Sequence, residues 1–445
     1  MPHILRASPG RAAKFFTLLL FQLGIVLGHS TTLVALEWGD MPDPGRSSQD
    51  ILKAWQAAES EIPAELRVPK SNDANGSKPV SVSRVEPQLR WLKRHQSPDG
   101  GWSATGHPMA CSLDGPKVEP DIATGAWGIV GGERDTLLCA GSVLAFLGAG
   151  WDHRIPNKYR RTVLAGLNKL IESIAEGAPP LTHHQTQAMV ALALSEAYVM
   201  TQDADIHDPA QRAMEALLSS ALTSVQGAET VTVGWAATPD GQEVDLQATL
   251  LGVMALKSAA AGAMTTTVSP HLNDIRLWFS ALLTDSQTYH VAANRTDRFL
   301  PRRASIDRKQ FHGEGSASGL ALAVYLGLKM EHEALFEGVG ERVMDQLIPM
   351  STSDPFTTYA ATVGLTQVRE PWRTQFRLVQ TWDLVQHNIH SDDCRDGSWP
   401  AHPGSDANIG SSVLTTTILN SFSLQIFYTF HSPGEGTSVL TPPFK

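Results

Sequence analysis

"QAMVALALSEAYVMTQDADIHDPAQRAMEALLSSAL", Gln187 to Leu222, holds two helical segments of different kinds joined by a short polar turn. From Gln187 to Met200 nearly every position is apolar or small, so the segment has no face for water and expects to be covered on most sides. From Asp208 onward Gln211, Arg212 and Glu215 share one face while Ala210, Met214 and Leu217 share the other, the pattern of a helix wetted on one side. Asp208 followed by Pro209 reads as an N-cap with proline at the first helical position.

The same pairing recurs along the chain. Helical spacing predicts segments at 86–96, 133–149, 157–175, 182–201, 208–223, 242–262, 270–284, 315–329, 333–348, 355–367, 371–388 and 409–430, and no alternating run of β-type residues competes. "KYRRTVLAGLNKLIESIAEG", "ALFEGVGERVMDQLI" and "EPWRTQFRLVQTWDLVQ" are half-wetted; "LQATLLGVMALKSAAAG", "SGLALAVYLGL" and "SSVLTTTILNSFSLQIF" are apolar or small all round. Amphipathic and buried helices taking turns over six pairs fit an inner ring wrapped by an outer one, so the expected architecture is an all-α (α/α)6 toroid. Ala188, Ala191, Ala193, Gly319 and Ala321 let inner helices approach closely, and Glu370 before Pro371 marks another helix start.

Turns repeat as well. "LRWLKRHQSPDGGW", Leu89 to Trp102, ends a helix in Gln96, Asp99, Gly101 and Trp102; Gly234–Trp235 and "DGSW", with Asp396, Gly397 and Trp399, follow later outer helices. Glycine allows the tight backbone, aspartate bonds its own turn, and tryptophan buries a large ring against helix ends. These are read as structural punctuation.

This turn resembles the QW repeat of squalene-hopene cyclases, and the helix pairs resemble the prenyltransferase and squalene-oxidase repeats of protein prenyltransferase β-subunits. "LAFLGAGWDHRIPNKYRRTVLAGLNKLI", "VALALSEAYVMTQDADIHDPAQRAMEALL", "GVMALKSA" and "DGSWPA" are similar to exported planctomycete proteins carrying those repeats. The resemblance spans residues 85–430 and implies the toroid. It implies little about chemistry, because unrelated activities share such folds.

The motifs of those activities are missing. A terpene cyclase needs a strong acid in a D-x-D-D or D-C-T-A setting, and neither occurs. Asp392 and Cys394 mimic the Asp-x-Cys pair of a prenyltransferase zinc site but precede the turn instead of lying on the next helix, so no metal and no cofactor is expected. The C-G-E-Q run of thioester domains is absent. His183, His184, Asp245 and Tyr359 stand at predicted inner-helix starts and form a candidate binding rim at one mouth of the toroid, or serve only as caps there. The basic stretch Asn294–His312 reads as a solvated loop that covers one mouth or none.

The three cysteines allow one internal bridge. Cys139 reads as a small buried apolar residue. Cys111 follows the first turn and Cys394 precedes the last, so ring closure would bring them side by side as a disulfide, with Cα atoms within about 7 Å; otherwise they are unrelated loop thiols.

A net charge of −10, from 35 Lys+Arg against 45 Asp+Glu, offers nothing to a polyanion, so nucleic acid is not an expected partner. Arg6, Arg11 and Lys14 precede the apolar Phe15–Gly28, which reads as an export signal with cleavage after Ser30; uncleaved, the apolar run reaches Leu36 and becomes an anchor. The expected organisation is a leader at 1–36, a Pro/Ser/Gly-rich stalk at 37–84, the toroid at 85–432 and a tail at 433–445. The expected function is extracytoplasmic: a non-catalytic binding or scaffold module for a protein, glycan or lipid. The alternatives are an enzyme on an isoprenoid substrate and a carbohydrate-active toroid with facing carboxylates.

Overall fold

The computed structural model describes residues 80–113, 116–118, 120, 128–226, 229–262, 265–284, 314–328, 340, 343–344, 355–366, 372–401 and 412–429. The leader, most of the stalk, the Asn294–His312 segment, Glu370, Pro371 and the tail lie outside them. The helices are α1 (Val80–Arg94), α2 (His107–Ala110), α3 (Gly131–Gly148), α4 (Arg160–Ser173), α5 (His184–Thr201) and α6 (Ala204–Ser219). After strands β1 (Leu222–Gln226) and β2 (Glu229–Gly234) come α7 (Leu246–Ala261), α8 (Thr265–Thr284), α9 (Glu314–Tyr325), α10 (Pro355–Leu365), α11 (Trp372–Gln386) and α12 (Val413–Thr429).

The buried helices form a closed ring. α3 packs on α5, α5 on α7, α7 on α9, α9 on α10, α10 on α12, and α12 returns to α3. Around it α1 covers the α12–α3 seam, α4 packs on α3 and α5, α6 on α5 and α7, α8 on α7, and α11 on α10 and α12. This is the all-α toroid that the alternation of helix kinds predicts. Of the predicted 333–348 helix only Gly340, Val343 and Met344 are described, and all three are helical and buried.

Burial follows the composition. Every residue of α10 is buried, whereas α6 buries only Ile206, Pro209, Ala210, Ala213, Met214 and Leu217, one stripe of its surface. Closure depends on small residues: a Cβ on Gly141 of α3 would lie 2.9 Å from Ile418 Cγ2 of α12. At the same seam Gln425 Nε2 donates to the Ala145 carbonyl at 2.7 Å.

Two local expectations are corrected. The 208–223 segment does not run helical to its end, because β1 and β2 form an antiparallel hairpin pairing Thr223 with Thr232 and Ser224 with Val231. The β-branched residues Thr223, Val225, Thr230, Val231, Thr232 and Val233 favour extended backbone, and the helix period hid their alternation. The hairpin is held by α8, where Asp274 Oδ2 accepts from the Thr232 amide at 3.1 Å and His271 Nδ1 lies 2.7 Å from Thr232 Oγ1. The second correction concerns the start of α6. Its cap is Asp203, which accepts from Asp205 N at 3.2 Å, so Pro209 sits inside the helix. Gln202 in a left-handed conformation (φ 51°) turns the chain directly after α5, leaving Asp203 and not Asp208 at the helix mouth.

Candidate functional site

The tryptophan turns share one hydrogen-bond scheme. Trp102 Nε1 donates to the Leu92 carbonyl (2.8 Å), Trp235 Nε1 to Leu217 (2.9 Å) and Trp399 Nε1 to Leu384 (2.8 Å). Those carbonyls belong to the last turns of outer helices α1, α6 and α11, beyond the reach of the amides four residues on that fill acceptors inside a helix. The Trp235 and Trp399 backbone amides in turn donate to Thr249 Oγ1 (3.1 Å) and Thr417 Oγ1 (3.2 Å) on the following inner helices. In the first turn the buried thiol of Cys139, on α3, takes that place beside the Trp102 amide. Each turn therefore ties an outer helix end to the next inner helix.

The remaining turn residues complete the scheme. Gln96 Nε2 donates to the Gly100 and Thr162 carbonyls (2.8 and 2.9 Å), and Asn388 Nδ2 does the corresponding work at Gly397 and Ser398 (3.1 and 3.0 Å). Asp99 accepts from Gly101 N at 3.1 Å and pairs with Lys169 at 2.9 Å. Gly100, at φ 89°, tolerates no side chain, because a Cβ would meet the Ala165 carbonyl oxygen at 2.6 Å, and Gly397 is closed in the same way by the Pro87 carbonyl. Gly234 and Gly397 also have positive φ. Asp396 receives Arg94 on its backbone carbonyl (2.5 Å) and faces its guanidinium at 3.8 Å.

The predicted rim divides. His183 precedes α5, and its amide and Nδ1 reach Glu133 of α3 at 2.7 and 3.0 Å. His184 is buried with Nδ1 2.9 Å from the Ala236 carbonyl. Asp245 caps α7 through the Ala248 amide (2.7 Å), while its own amide donates to the Trp235 carbonyl (2.8 Å). So His184 and Asp245 meet the same short stretch after Gly234. Tyr359 is not with them: it lies a turn into α10, buried, with its hydroxyl 3.5 Å from that of Tyr325 and 3.6 Å from Met254 Sδ. The rim assignment of Tyr359 is therefore corrected to the ring interior. Its ring makes edge contacts with Phe356 and Phe422 that hold it there.

Each acid with a described side chain in the first turns of the inner helices is committed. Glu133 accepts from the Thr182 amide and hydroxyl as well as from His183; burial raises its pKa, but these donors prevail and hold it below the usual range. Asp135 accepts from the Ala104 amide at 2.7 Å. Asp245 is raised by burial, with the Ala248 amide pulling the other way.

The interior holds a titratable group that the sequence reading passed over. Glu196 of α5 is buried, and desolvation pushes its carboxyl up to about 7, only partly offset by the Ser258 hydroxyl. Its field also raises Tyr325, pushed up to about 12 chiefly by burial, and Tyr359. Lys257 of α7 donates to the Tyr325 carbonyl at 2.8 Å and is lowered by burial. The signal was present in "LSEAYVM": a lone acid in a helix with no wet face.

Cys111 and Cys394 are joined by a disulfide, with Cα atoms 6.2 Å apart across 283 residues. Asp392 is exposed, while Cys394 is buried in the bridge. The bridge lies against α1, where Trp91 Nε1 donates to the Cys394 carbonyl at 2.8 Å and stacks on His95 with ring centroids 4.0 Å apart.

No family model matches the sequence, and no curated protein does. In fold the chain is similar to the α-1,6-mannanase GH76A of Salegentibacter sp. HEL1_6 (TM-score 0.50, 9% identity, 78% of this chain and 98% of that one). It is also similar to an unsaturated glucuronyl hydrolase from Streptococcus agalactiae (0.49, 12%, 81% and 97%) and a sugar epimerase from a ruminal bacterium (0.47, 13%, 78% and 98%). At these identities the likeness is one of fold. What stands of the cyclase and prenyltransferase resemblance is the toroid itself, a scaffold that different chemistries share.

Proposed function

We propose that this chain is an exported α/α toroid that binds a ligand at the mouth formed by its inner-helix starts, and that it is a binding or scaffold module, not a catalyst. The observation that carries the reading is the commitment of Glu133, Asp135 and Asp245 to backbone amides. A carboxylate locked as a cap is poorly placed to take or give a proton, and a glycosidase needs two carboxyls facing each other about 5–9 Å apart. In the interior Glu196 lies in the field of Tyr325 and Tyr359, and no second carboxyl faces it among the groups that shift its pKa. Among the described residues no helix is long and apolar enough to cross a membrane.

Glycans are the first ligand class to try, since the toroids of similar fold include an enzyme named for an α-1,6-mannan. The purified chain is titrated calorimetrically with mannan and glucuronide oligosaccharides, squalene and an isoprenoid diphosphate, while products are followed by mass spectrometry. Saturable binding without turnover supports the reading, and turnover of any of these ligands by the purified chain overturns it.

A further inference from the structure

The disulfide that joins the two ends of the ring stands beside a third metal-ligating side chain. One ring nitrogen of His95 and the sulfurs of Cys111 and Cys394 all lie within 4.8 Å of one another, and all three residues are buried. His95 Nδ1 is 2.8 Å from the Trp91 carbonyl, which can only accept, so that nitrogen carries the proton. Nε2 keeps its lone pair, and it is buried with no hydrogen-bond partner. A buried acceptor without a partner costs roughly 1–3 kcal/mol, which invites an explanation by function.

We propose that, once the Cys111–Cys394 bond is reduced, the two thiolates and His95 Nε2 bind one Zn2+-class ion, so that the ring closes either by a disulfide or by a metal clasp. Two sulfurs and an imidazole nitrogen suit a soft or borderline d10 ion and not an oxygen-seeking one. On a tetrahedral zinc such ligand atoms stand roughly 3.5–3.8 Å apart, and the three atoms already lie within 4.8 Å of one another. The Lys117 ammonium, 3.5 Å from Cys394 Sγ and 2.9 Å from the Cys111 carbonyl, favours the thiolate forms. The Trp91 carbonyl fixes the His95 tautomer and ring, as an outer partner of a metal-bound imidazole does. The fourth position falls to water, or to His107, whose ring centroid is 6.1 Å from that of His95.

The exchange balances with a dithiol as reductant. It passes two electrons and two protons to the Cys111–Cys394 bond and becomes a disulfide itself; zinc binding then releases the two thiol protons. Nothing in this depends on Asp392 or on the occupancy of the mouth.

The test uses the full chain with Co2+ as a visible probe, displaced by Zn2+, under anaerobic conditions after the reductant is removed. The reduced chain is expected to take up one Co2+ with sulfur-to-metal charge-transfer absorption, which Zn2+ abolishes, while the oxidised chain takes up none. His95→Gln is expected to lose stoichiometric uptake yet still form the disulfide on oxidation, mapped by non-reducing peptide mass spectrometry, which shows that the variant folds. Uptake by the reduced chain no greater than by a C111S/C394S variant refutes the proposal, as does unchanged uptake by His95→Gln. Far-UV circular dichroism covers the remaining case: a reduced chain that loses its helix and does not regain it with Zn2+ also refutes it.

Discussion

Breaking the Cys111–Cys394 bond in metal-free buffer is expected to lower stability almost wholly through the unfolded chain. In the folded ring α12 stays on α3 without the bond, through Ile418 against Gly141 and through the Gln425 amide on the Ala145 carbonyl. The unfolded chain, by contrast, loses a cross-link spanning 283 residues. Loop-closure entropy for that span gives −2.1 − 1.5R ln 283 cal/mol/K, or about 5.6 kcal/mol at 25 °C as a ceiling. Removal of native disulfides commonly costs about 2–5 kcal/mol, and the expected loss lies in that range. The assay is urea unfolding, followed by helical circular dichroism, of the oxidised chain, the reduced chain in chelator and C111S/C394S. Both altered forms are expected to unfold at lower urea, with a steeper dependence because the released chain exposes more surface. A midpoint unchanged in both, corresponding to less than about 0.5 kcal/mol, would show that the bridge does not close the ring that the packing describes.

Three further outcomes follow from the turns and the interior. Thr249→Val or Thr417→Val strips the hydroxyl that receives a buried tryptophan amide and is expected to cost about 1–3 kcal/mol each, measured by urea denaturation; a neutral result would mean that the turns are not tied to the inner helices. Gly252→Ala places a methyl against the Trp235 ring and is expected to cost roughly 1–3 kcal/mol, while the equally helical Gly132, with open space around its would-be Cβ, tolerates alanine. Glu196 is raised from 4.5 to about 7 in the folded chain, so between those values the folded state holds a proton that the unfolded state has released, and stability falls as pH rises through the window before levelling above it. The full drop is on the order of 3 kcal/mol, and Glu196→Gln should abolish it; a difference between wild type and variant that is flat from pH 4.5 to 8 would refute the desolvation argument.

How much of this was legible in the sequence depends on whether a feature acts along one helix or between helices. The two rings were legible because wetting is a property of single helices: Gln187–Met200 has no polar face, Gln211, Arg212 and Glu215 make one, and burial must follow. The hairpin was missed because a five-residue strand after an amphipathic helix offers too few positions for its period of two to stand out from the helix pattern. Tyr359 was misplaced because its depth is set by how far along the ring axis α10 sits against α9 and α12, which no local spacing encodes. His95 makes the same point most sharply. In "RHQSPDGGW" it stands beside the glutamine that marks the turn, and only closure of the ring, bringing together residues 283 apart, turns it toward two sulfurs. Chemistry assembled at a seam is thus invisible one helix at a time, while three of the turns that link the rings are written locally, at Trp102, Trp235 and Trp399: a tryptophan on a helix-end carbonyl, with its amide on the next helix's threonine or cysteine. A thiol in place of threonine at Cys139 shows that the scheme needs a small acceptor there and not a particular side chain.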